Sequence, residues 1–378
     1  MDERVRFMGR LGLQQRVLPA YRVVFIEALS HACQGGLGVF AGQPLPVEGI
    51  AAVEHLGSAK LFRAQNWNFS DPSSAWFTVW QAGLLKWLET WSPDALVVEA
   101  NPRYLATRLA IRWMHRRRRP VLGWGLGAPP LKGPLAPLRL WERANFLHSL
   151  DALIAYSQRG AGQYLSLGIA AERVFVASNA VDPPPVRPYV EKPPVYQGLP
   201  VVLFVGRLQK RKRIDNLIYA CAGLPENLRP RLLIVGEGPT RQALETLAQR
   251  VYPKAEFVGA RYGDSLETFY DQADLFVLPG TGGLAVQQAM AHGLPVIVAQ
   301  GDGTQDDLVR PGNGWQIPPD DPISLGQSLL EALSSPARLR QMGKEAFRVV
   351  AEEVNTEVMA SAFIRALNSF HDWFPKQL

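Results

Sequence analysis

Two cations, Arg207 and Lys212, stand just past the apolar run Val201–Val205, in Gly206-Arg207-Leu208-Gln209-Lys210-Arg211-Lys212. A pair of positive charges at a strand end could neutralise a diphosphate and stabilise the charge that grows on it as a bond to phosphate breaks. The same stretch could be only a basic, soluble turn, and Lys210, Arg211 and Arg213 read that way. Two more apolar runs end comparably: one leads into Gly236-Glu237-Gly238-Pro239, the other into Gly280-Thr281-Gly282-Gly283-Leu284. Glycines allow close backbone approach, and bare amides opening a helix over residues 284–291 would attract an anion. Parallel strands whose carboxyl ends carry glycines or a cation build a pocket for a phosphorylated ligand.

In this order and spacing, these residues resemble the donor-binding half of the retaining glycosyltransferases of family 4, closely over roughly residues 200–345. The resemblance implies the α/β GT-B fold, two Rossmann-like domains with parallel sheets facing a central cleft. It implies that Arg207 and Lys212 hold the leaving diphosphate, that Gly236 and Glu237 lie beside the nucleoside, and that Arg261 belongs to the base-binding edge Glu256–Arg261. Thr281, Gly282, Gly283, Leu284 and Gln288 complete the donor site. Family members usually carry two glutamates eight positions apart here; this chain has Gly280 and Gln288. Gln288 can still hydrogen-bond a ribose hydroxyl, whereas Gly280 offers only its backbone. Gly312-Asn313-Gly314 through Asp321-Pro322 resembles the family's connection into its terminal helices, and Asp306 or Asp307 stands where a loop glutamate is often found or is a solvated acid.

The first half matches more thinly. Gly9 and Gly12 read as the glycine-containing loop after a strand over 5–8, facing the donor phosphates. Pro19-Ala20-Tyr21-Arg22 resembles a helix start found in part of the family, and Tyr21 and Arg22 are candidates to bind the acceptor. In Glu99-Ala100-Asn101-Pro102-Arg103, Glu99 and Arg103 could orient acceptor hydroxyls, while Asn101 followed by Pro102 reads as a helix cap. Many family members have a histidine after a strand where this chain reads Gly123-Trp124-Gly125.

The elements that must position these residues alternate between strand and helix, which implies parallel pairing with right-handed crossovers. Strands are expected at 37–41, 95–99, 121–125, 152–155 and 174–176, and then at 201–205, 231–235, 255–258, 274–278 and 295–298. Helices are expected between them, including 18–33 and 104–115, and one over 76–91 from the spacing of Trp76, Trp80, Leu84, Trp87, Leu88 and Trp91. Prolines at 183–185, 188, 193 and 194 interrupt the alternation. The expected division is an acceptor-binding domain at 1–185, a proline-rich linker at 186–199, a nucleotide-sugar domain at 200–355, and a carboxyl-terminal helix at 356–378 packing back toward the first domain.

A length of 378 residues, 47% hydrophobic and 20% charged, suits two soluble globular domains. The net charge of +6 is uneven: residues 1–190 hold 21 Lys and Arg against 13 Asp and Glu, giving +8, and the remainder 19 against 21, giving −2. No nucleic-acid-binding motif accompanies the excess. A basic, Trp-rich first half suggests a lipid-linked acceptor and peripheral contact with an anionic membrane, although Arg116–Arg119 also fits a solvated helix end. Cys33 and Cys221 are too few and too far apart for a disulfide framework or metal cluster, and no Asp-x-Asp pair offers metal ligands, so no metal or cofactor is expected. No signal peptide or membrane-spanning run is read, so the expected location is the cytoplasm, with peripheral contact at the inner membrane face. The expected activity is transfer of a hexosyl group from a nucleoside diphosphate sugar to a hydroxyl of a glycan or lipid-linked acceptor, as in surface polysaccharide assembly. The alternatives are a non-catalytic nucleotide-binding subunit and a nucleotide-sugar epimerase of the same fold.

Overall fold

The computed structural model describes residues 6–48, 50–71, 74, 76–283, 285–301 and 303–370. The chain divides into two units, Met1–Pro183 with Thr356–Leu378, and Pro184–Asn355.

The first unit contains β1 (Leu11–Val17), α1 (Val23–His31), β2 (Leu37–Gly42), β3 (Lys60–Arg63), β4 (Gln65–Phe69), β5 (Thr78–Ala82), α2 (Leu84–Trp91), β6 (Ala95–Glu99), α3 (Thr107–His115), β7 (Val121–Gly125), α4 (Ala136–His148), β8 (Ala152–Ala155), α5 (Gln158–Ser166) and β9 (Val174–Val176). Its main sheet has the order β3-β2-β1-β6-β7-β8-β9, and its pairings are parallel. The expectation of a strand over 5–8 is corrected. Val5 lies outside the described residues, Phe7 stands in an isolated bridge to Cys33, and the first strand of the sheet is β1, in its interior between β2 and β6. Gln14 and Gln15 disguise it, because both are buried. They are satisfied by their own network: the Gln14 Nε2 donates to Gln81 Oε1 at 2.8 Å, Thr107 Oγ1 donates to Gln14 Oε1 at 3.1 Å, and Gln81 Nε2 donates to the Gln15 carbonyl at 3.0 Å. Buried polar groups are tolerated when each finds a partner.

The helix expected over 76–91 is corrected as well. Thr78–Ala82 pairs antiparallel with β4, and Gly83, at φ 83°, breaks the chain before α2. Alternation and helical spacing coincide for Trp76, Trp80 and Leu84, so spacing alone could not separate them. In α2, Trp87 stacks on Phe40 with ring centroids 5.1 Å apart, and Trp91 Nε1 donates to the Leu11 carbonyl at 3.0 Å.

The second unit contains β10 (Val201–Val205), α6 (Ile214–Gly223), β11 (Arg231–Val235), α7 (Arg241–Val251), β12 (Ala255–Gly259), α8 (Asp264–Gln272), β13 (Leu275–Leu278), α9 (Ala285–Ala291), β14 (Val296–Ala299), β15 (Gly314–Ile317), α10 (Pro322–Ser334) and α11 (Pro336–Glu352). Its parallel sheet has the order β12-β11-β10-β13-β14-β15. Helices from both faces bury strands such as β13 and β14 completely, which is why their sequences are unbroken apolar runs. Residues 184–200 form no helix or strand but lie on this unit: Tyr189 packs on Phe347 at 5.6 Å, Tyr196 donates to the Leu333 carbonyl at 3.2 Å, and Lys192 to the Ala273 carbonyl. After Asn355 the chain returns to the first unit as α12 (Thr356–Asn368), whose Phe363 meets Phe25 at 5.0 Å and Trp124 at 5.1 Å. No described helix is long and apolar enough to cross a membrane.

The glutamine network should be visible in stability. Gln14→Leu strands Gln81 and Thr107 and is expected to cost about 1–3 kcal/mol, with Gln14→Leu/Thr107→Val costing less than the sum of the single changes, as read by urea unfolding.

Candidate functional site

In the second unit, the segments that leave β10, β11, β12 and β13 crowd together at the carboxyl edge. Gly236 follows β11 with φ 147°, and a Cβ there would lie 1.9 Å from the Gly206 carbonyl oxygen. A Cβ at Gly238 would lie 2.2 Å from the Leu208 carbonyl oxygen. The two loops are also tied by Leu208 N–H donating to the Glu237 carbonyl at 2.8 Å and Thr240 N–H to the Leu208 carbonyl at 3.2 Å. Glycine is therefore dictated here by backbone packing.

Gly280 is crowded in the same way. A Cβ would lie 2.2 Å from the Arg211 carbonyl oxygen and 2.5 Å from the Lys212 backbone. Thr281 N–H donates to that same Arg211 carbonyl at 3.1 Å. A glutamate cannot occupy this position while the 211–212 segment lies against it, so the lack of a carboxylate at position 280 and the path of the basic loop are one feature.

That path buries Lys212. Its Nζ donates to the Thr281 carbonyl at 2.9 Å and to the Gly282 carbonyl. Burial, and then the neighbouring Arg211 charge, pulls the ammonium down to about 8, because both disfavour the charged form. Arg207 is exposed, and among the described residues it meets no hydrogen-bond or ion-pair partner. Thr281, Gly282 and Gly283 are exposed beside Lys212; Leu284 lies outside the described residues. A cavity of about 410 Å³ is lined by Lys210, Arg211, Arg213, Gly280 and Thr281, with Pro279, Pro319 and Asp320. Arg211 and Arg213 thus do more than solvate a turn: Arg211 Nη1 reaches the Thr281 carbonyl at 3.4 Å, and Arg213 pairs with Asp320 at 2.8 Å. The run of basic residues carried this signal, but spacing could not say which of them face inward.

Around the remaining donor candidates, Glu237 pairs with Arg241, and Arg261 caps the Ala260 carbonyl at 2.9 Å. Glu237, Arg241 and Arg261 all approach Gly259 at the end of β12. Gln288 is exposed and accepts from the buried Tyr270 hydroxyl at 3.3 Å, in front of the Tyr270–His292 stack.

The first unit contains a separate cavity of about 530 Å³, built from the segments that follow β6, β7 and β8. Glu99 lies in its wall together with Arg103, Trp124 and Tyr156, and with Arg139 and Arg143 of α4. Burial raises the Glu99 carboxyl above the ordinary range, against the Arg16 N–H at 2.5 Å, the Tyr104 hydroxyl, and the charges of Arg16 and Arg22. Arg16 is itself held by Glu48 at 2.5 Å and 3.0 Å. Arg22 is buried, with its guanidinium carbon 4.7 Å over Trp124 and 5.3 Å over Tyr156, while Tyr21 beside it is exposed. Arg103 is fixed because Val79 N–H takes its carbonyl at 2.9 Å and its own N–H donates to Asn101 Oδ1 at 3.1 Å. Asn101 therefore caps a turn, and α3 begins only at Thr107. Sequence reading missed Arg139, Arg143 and Tyr156, whose convergence depends on how α4 and β8 pack.

Gly9 and Gly12 do not belong to either edge. Gly9 precedes β1 and Gly12 lies inside it, packed against Pro93, Trp87 and Leu96 at the strand's amino end. They cannot form a loop beyond a carboxyl end, and the segment that does follow β1 carries Tyr21 and Arg22. Among the described residues, no group of three or more His, Cys, Asp and Glu stands close enough to hold a metal ion.

Residues 187–349, all within the second unit, match the family model of glycosyl transferases group 1. The GDP-mannose-dependent alpha-mannosyltransferase of Mycobacterium tuberculosis is 34% identical over 194 residues, 49% of this chain and 49% of that protein. The matches span between about a third and a half of the length of the first such curated relatives. Over 96% of this chain and all of the other, the structure resembles Anabaena HepE in complex with UDP, with a TM-score of 0.68 at 18% identity. It also resembles the lipopolysaccharide outer core galactosyltransferase WaaB, with a TM-score of 0.66 at 15% identity, over 96% of this chain and 99% of that one. The fold is thus that of GT-B glycosyltransferases, two Rossmann-like α/β domains with parallel sheets.

Crowding at Gly280 predicts that Gly280→Ala destabilises the protein by about 1–3 kcal/mol through overpacking and that Gly280→Glu destabilises it further. Thermal unfolding of the two variants checks both.

Proposed function

We propose that this chain is a retaining glycosyltransferase that moves a hexosyl group from a nucleoside diphosphate sugar to a hydroxyl of a glycan or lipid-linked acceptor, in surface polysaccharide or glycoconjugate assembly. The observation that carries the reading is the buried Lys212 ammonium at the carboxyl edge of a sheet whose unit matches glycosyl transferases group 1. The similar proteins point to a nucleoside diphosphate as the leaving part of the donor: one is a GDP-mannose-dependent mannosyltransferase, and the other is in complex with UDP.

In this reading the acceptor oxygen attacks the anomeric carbon as the bond from that carbon to the diphosphate breaks. The departing diphosphate takes the acceptor proton on the attacked face, so the chain supplies charge and position, with no protein base. Arg207 is free to close bidentately on phosphate oxygens, and Lys212 exchanges carbonyl partners for an anion. The exposed Gly282 and Gly283 segment adds backbone amides. Gly236, Glu237, Arg261 and Gln288 border the nucleoside, while Tyr21, Arg22, Glu99 and Arg103 serve the acceptor. Charge neutralisation by these cations requires no bound metal. Peripheral membrane contact through the basic first unit would suit a lipid-linked acceptor.

The absence of space for a side chain at Gly280 favours one second reading, a nucleotide-binding subunit without turnover. Calorimetry decides the donor site: UDP or GDP should bind with micromolar affinity, weakened by more than about 2 kcal/mol in Arg207→Ala/Lys212→Ala through loss of charge-assisted bonds. If neither nucleotide binds, the donor assignment fails. Release of the free nucleotide from its sugar conjugate over time supports the enzyme, and tight binding with no release supports the second reading.

A further inference from the structure

The cavity of the first unit has more positive charge than its neighbours balance. Arg103, Arg139 and Arg143 line it. Each is half-buried, and among the described residues none of the three has a carboxylate within ion-pairing distance. The acids in the same wall are already engaged. Glu142 pairs with Arg108 at 3.1 Å, and Glu99 accepts from the Arg16 N–H and the Tyr104 hydroxyl. Arg143 donates to the Pro129 carbonyl at 2.7 Å. Burial, followed by the charges of Arg139 and Arg103, lowers its guanidinium below the ordinary value. Behind Trp124 and Tyr156, Arg22 adds a further cation whose Nη1 is buried and, among the described residues, has no hydrogen-bond partner.

Guanidinium groups collected in a concavity whose acids are already engaged repel one another, and the arrangement is relieved when an oxyanion enters. Their planar forks match the oxygens of a phosphate. Beside these polar groups the wall carries an apolar and aromatic part, Phe77, Leu105, Leu126 and Leu131 next to the largely exposed Trp76. One ligand with both features is a phosphate ester whose neighbouring group is apolar or presents a sugar face.

We infer that this cavity binds a phosphate group carried by the acceptor, gripped by Arg103, Arg139 and Arg143, with the apolar wall covering the part of the acceptor next to it. The inference rests on the transferase reading above, which makes the ligand of this unit an acceptor. It narrows the acceptor class to phosphate-bearing molecules, whether a phospholipid-type carrier or a phosphorylated glycan.

Calorimetric titration of the whole chain with octyl phosphate, octyl glucoside, octanoate and inorganic phosphate, all below their aggregation limits, tests it. Octyl phosphate should bind and inorganic phosphate should compete with it. Arg139→Ala and Arg103→Ala/Arg139→Ala should weaken octyl phosphate at least about tenfold while leaving UDP or GDP affinity unchanged, which also certifies that the variants fold. Octyl glucoside or octanoate binding as tightly as octyl phosphate overturns the phosphate assignment. Inorganic phosphate binding as tightly as octyl phosphate overturns the share given to the apolar wall. Loss of octyl phosphate binding in every variant and in the parent, with nucleotide binding intact, overturns this inference alone; absence of nucleotide binding instead removes the transferase reading on which the word acceptor depends.

Discussion

Backbone packed directly on backbone at the carboxyl edge of the second sheet governs the candidate donor site. Gly236 rests on the Gly206 carbonyl, Gly238 on that of Leu208, and Gly280 on that of Arg211. Any side chain at these positions would push the three loops apart. Because they cannot separate, the basic segment 210–212 is drawn under residues 280–282, and Lys212 is carried into a buried position against two carbonyls. The cation is held there at a cost in desolvation that an anion beside it would relieve. Exposed Arg207 lies after Gly206 on the same loop, so the geometry that buries one cation leaves the other free to move.

The first unit obtains its site differently. Its sheet is seeded by a polar strand, β1, whose glutamines are satisfied by Gln81 and Thr107. The short turn after β1 then delivers Arg22 beneath Trp124 and Tyr156. Glu99, at the end of β6, receives the Arg16 amide and meets Arg22 only through space. Packing of α12 on Phe25 and Trp124 supports this wall from behind, so the last described helix helps to hold the aromatic layer of the cavity.

How much of this could be read in the sequence followed from burial on both faces. The strands β10, β11, β13 and β14 are buried on both sides, so their apolar runs and glycine endings stood out. β1 did not, because a central strand that hydrogen-bonds through glutamine side chains looks like a loop, and that error moved Gly9 and Gly12 to the wrong end of the sheet. Trp76 and Trp80 fitted a helix only because alternating and helical spacings overlap over a few residues. β15 begins within Gly312-Asn313-Gly314, which reads as a turn. The cations Arg207 and Lys212 were legible from position after a strand. Arg139, Arg143 and Tyr156 gain meaning from tertiary convergence, which no local pattern encodes.

The most direct test of the central claim is the proton balance of nucleotide binding, measured by calorimetry in buffers of different ionisation enthalpy between pH 7 and 10. Burial and the Arg211 charge lower the Lys212 ammonium to about 8 in the free protein, whereas a diphosphate beside it favours the charged form and raises that value. Binding should therefore take up close to one proton near pH 9, with affinity level below pH 8 and falling about tenfold per pH unit above it. No proton uptake at pH 9, with affinity constant across the range, would contradict the placement of the diphosphate on Lys212.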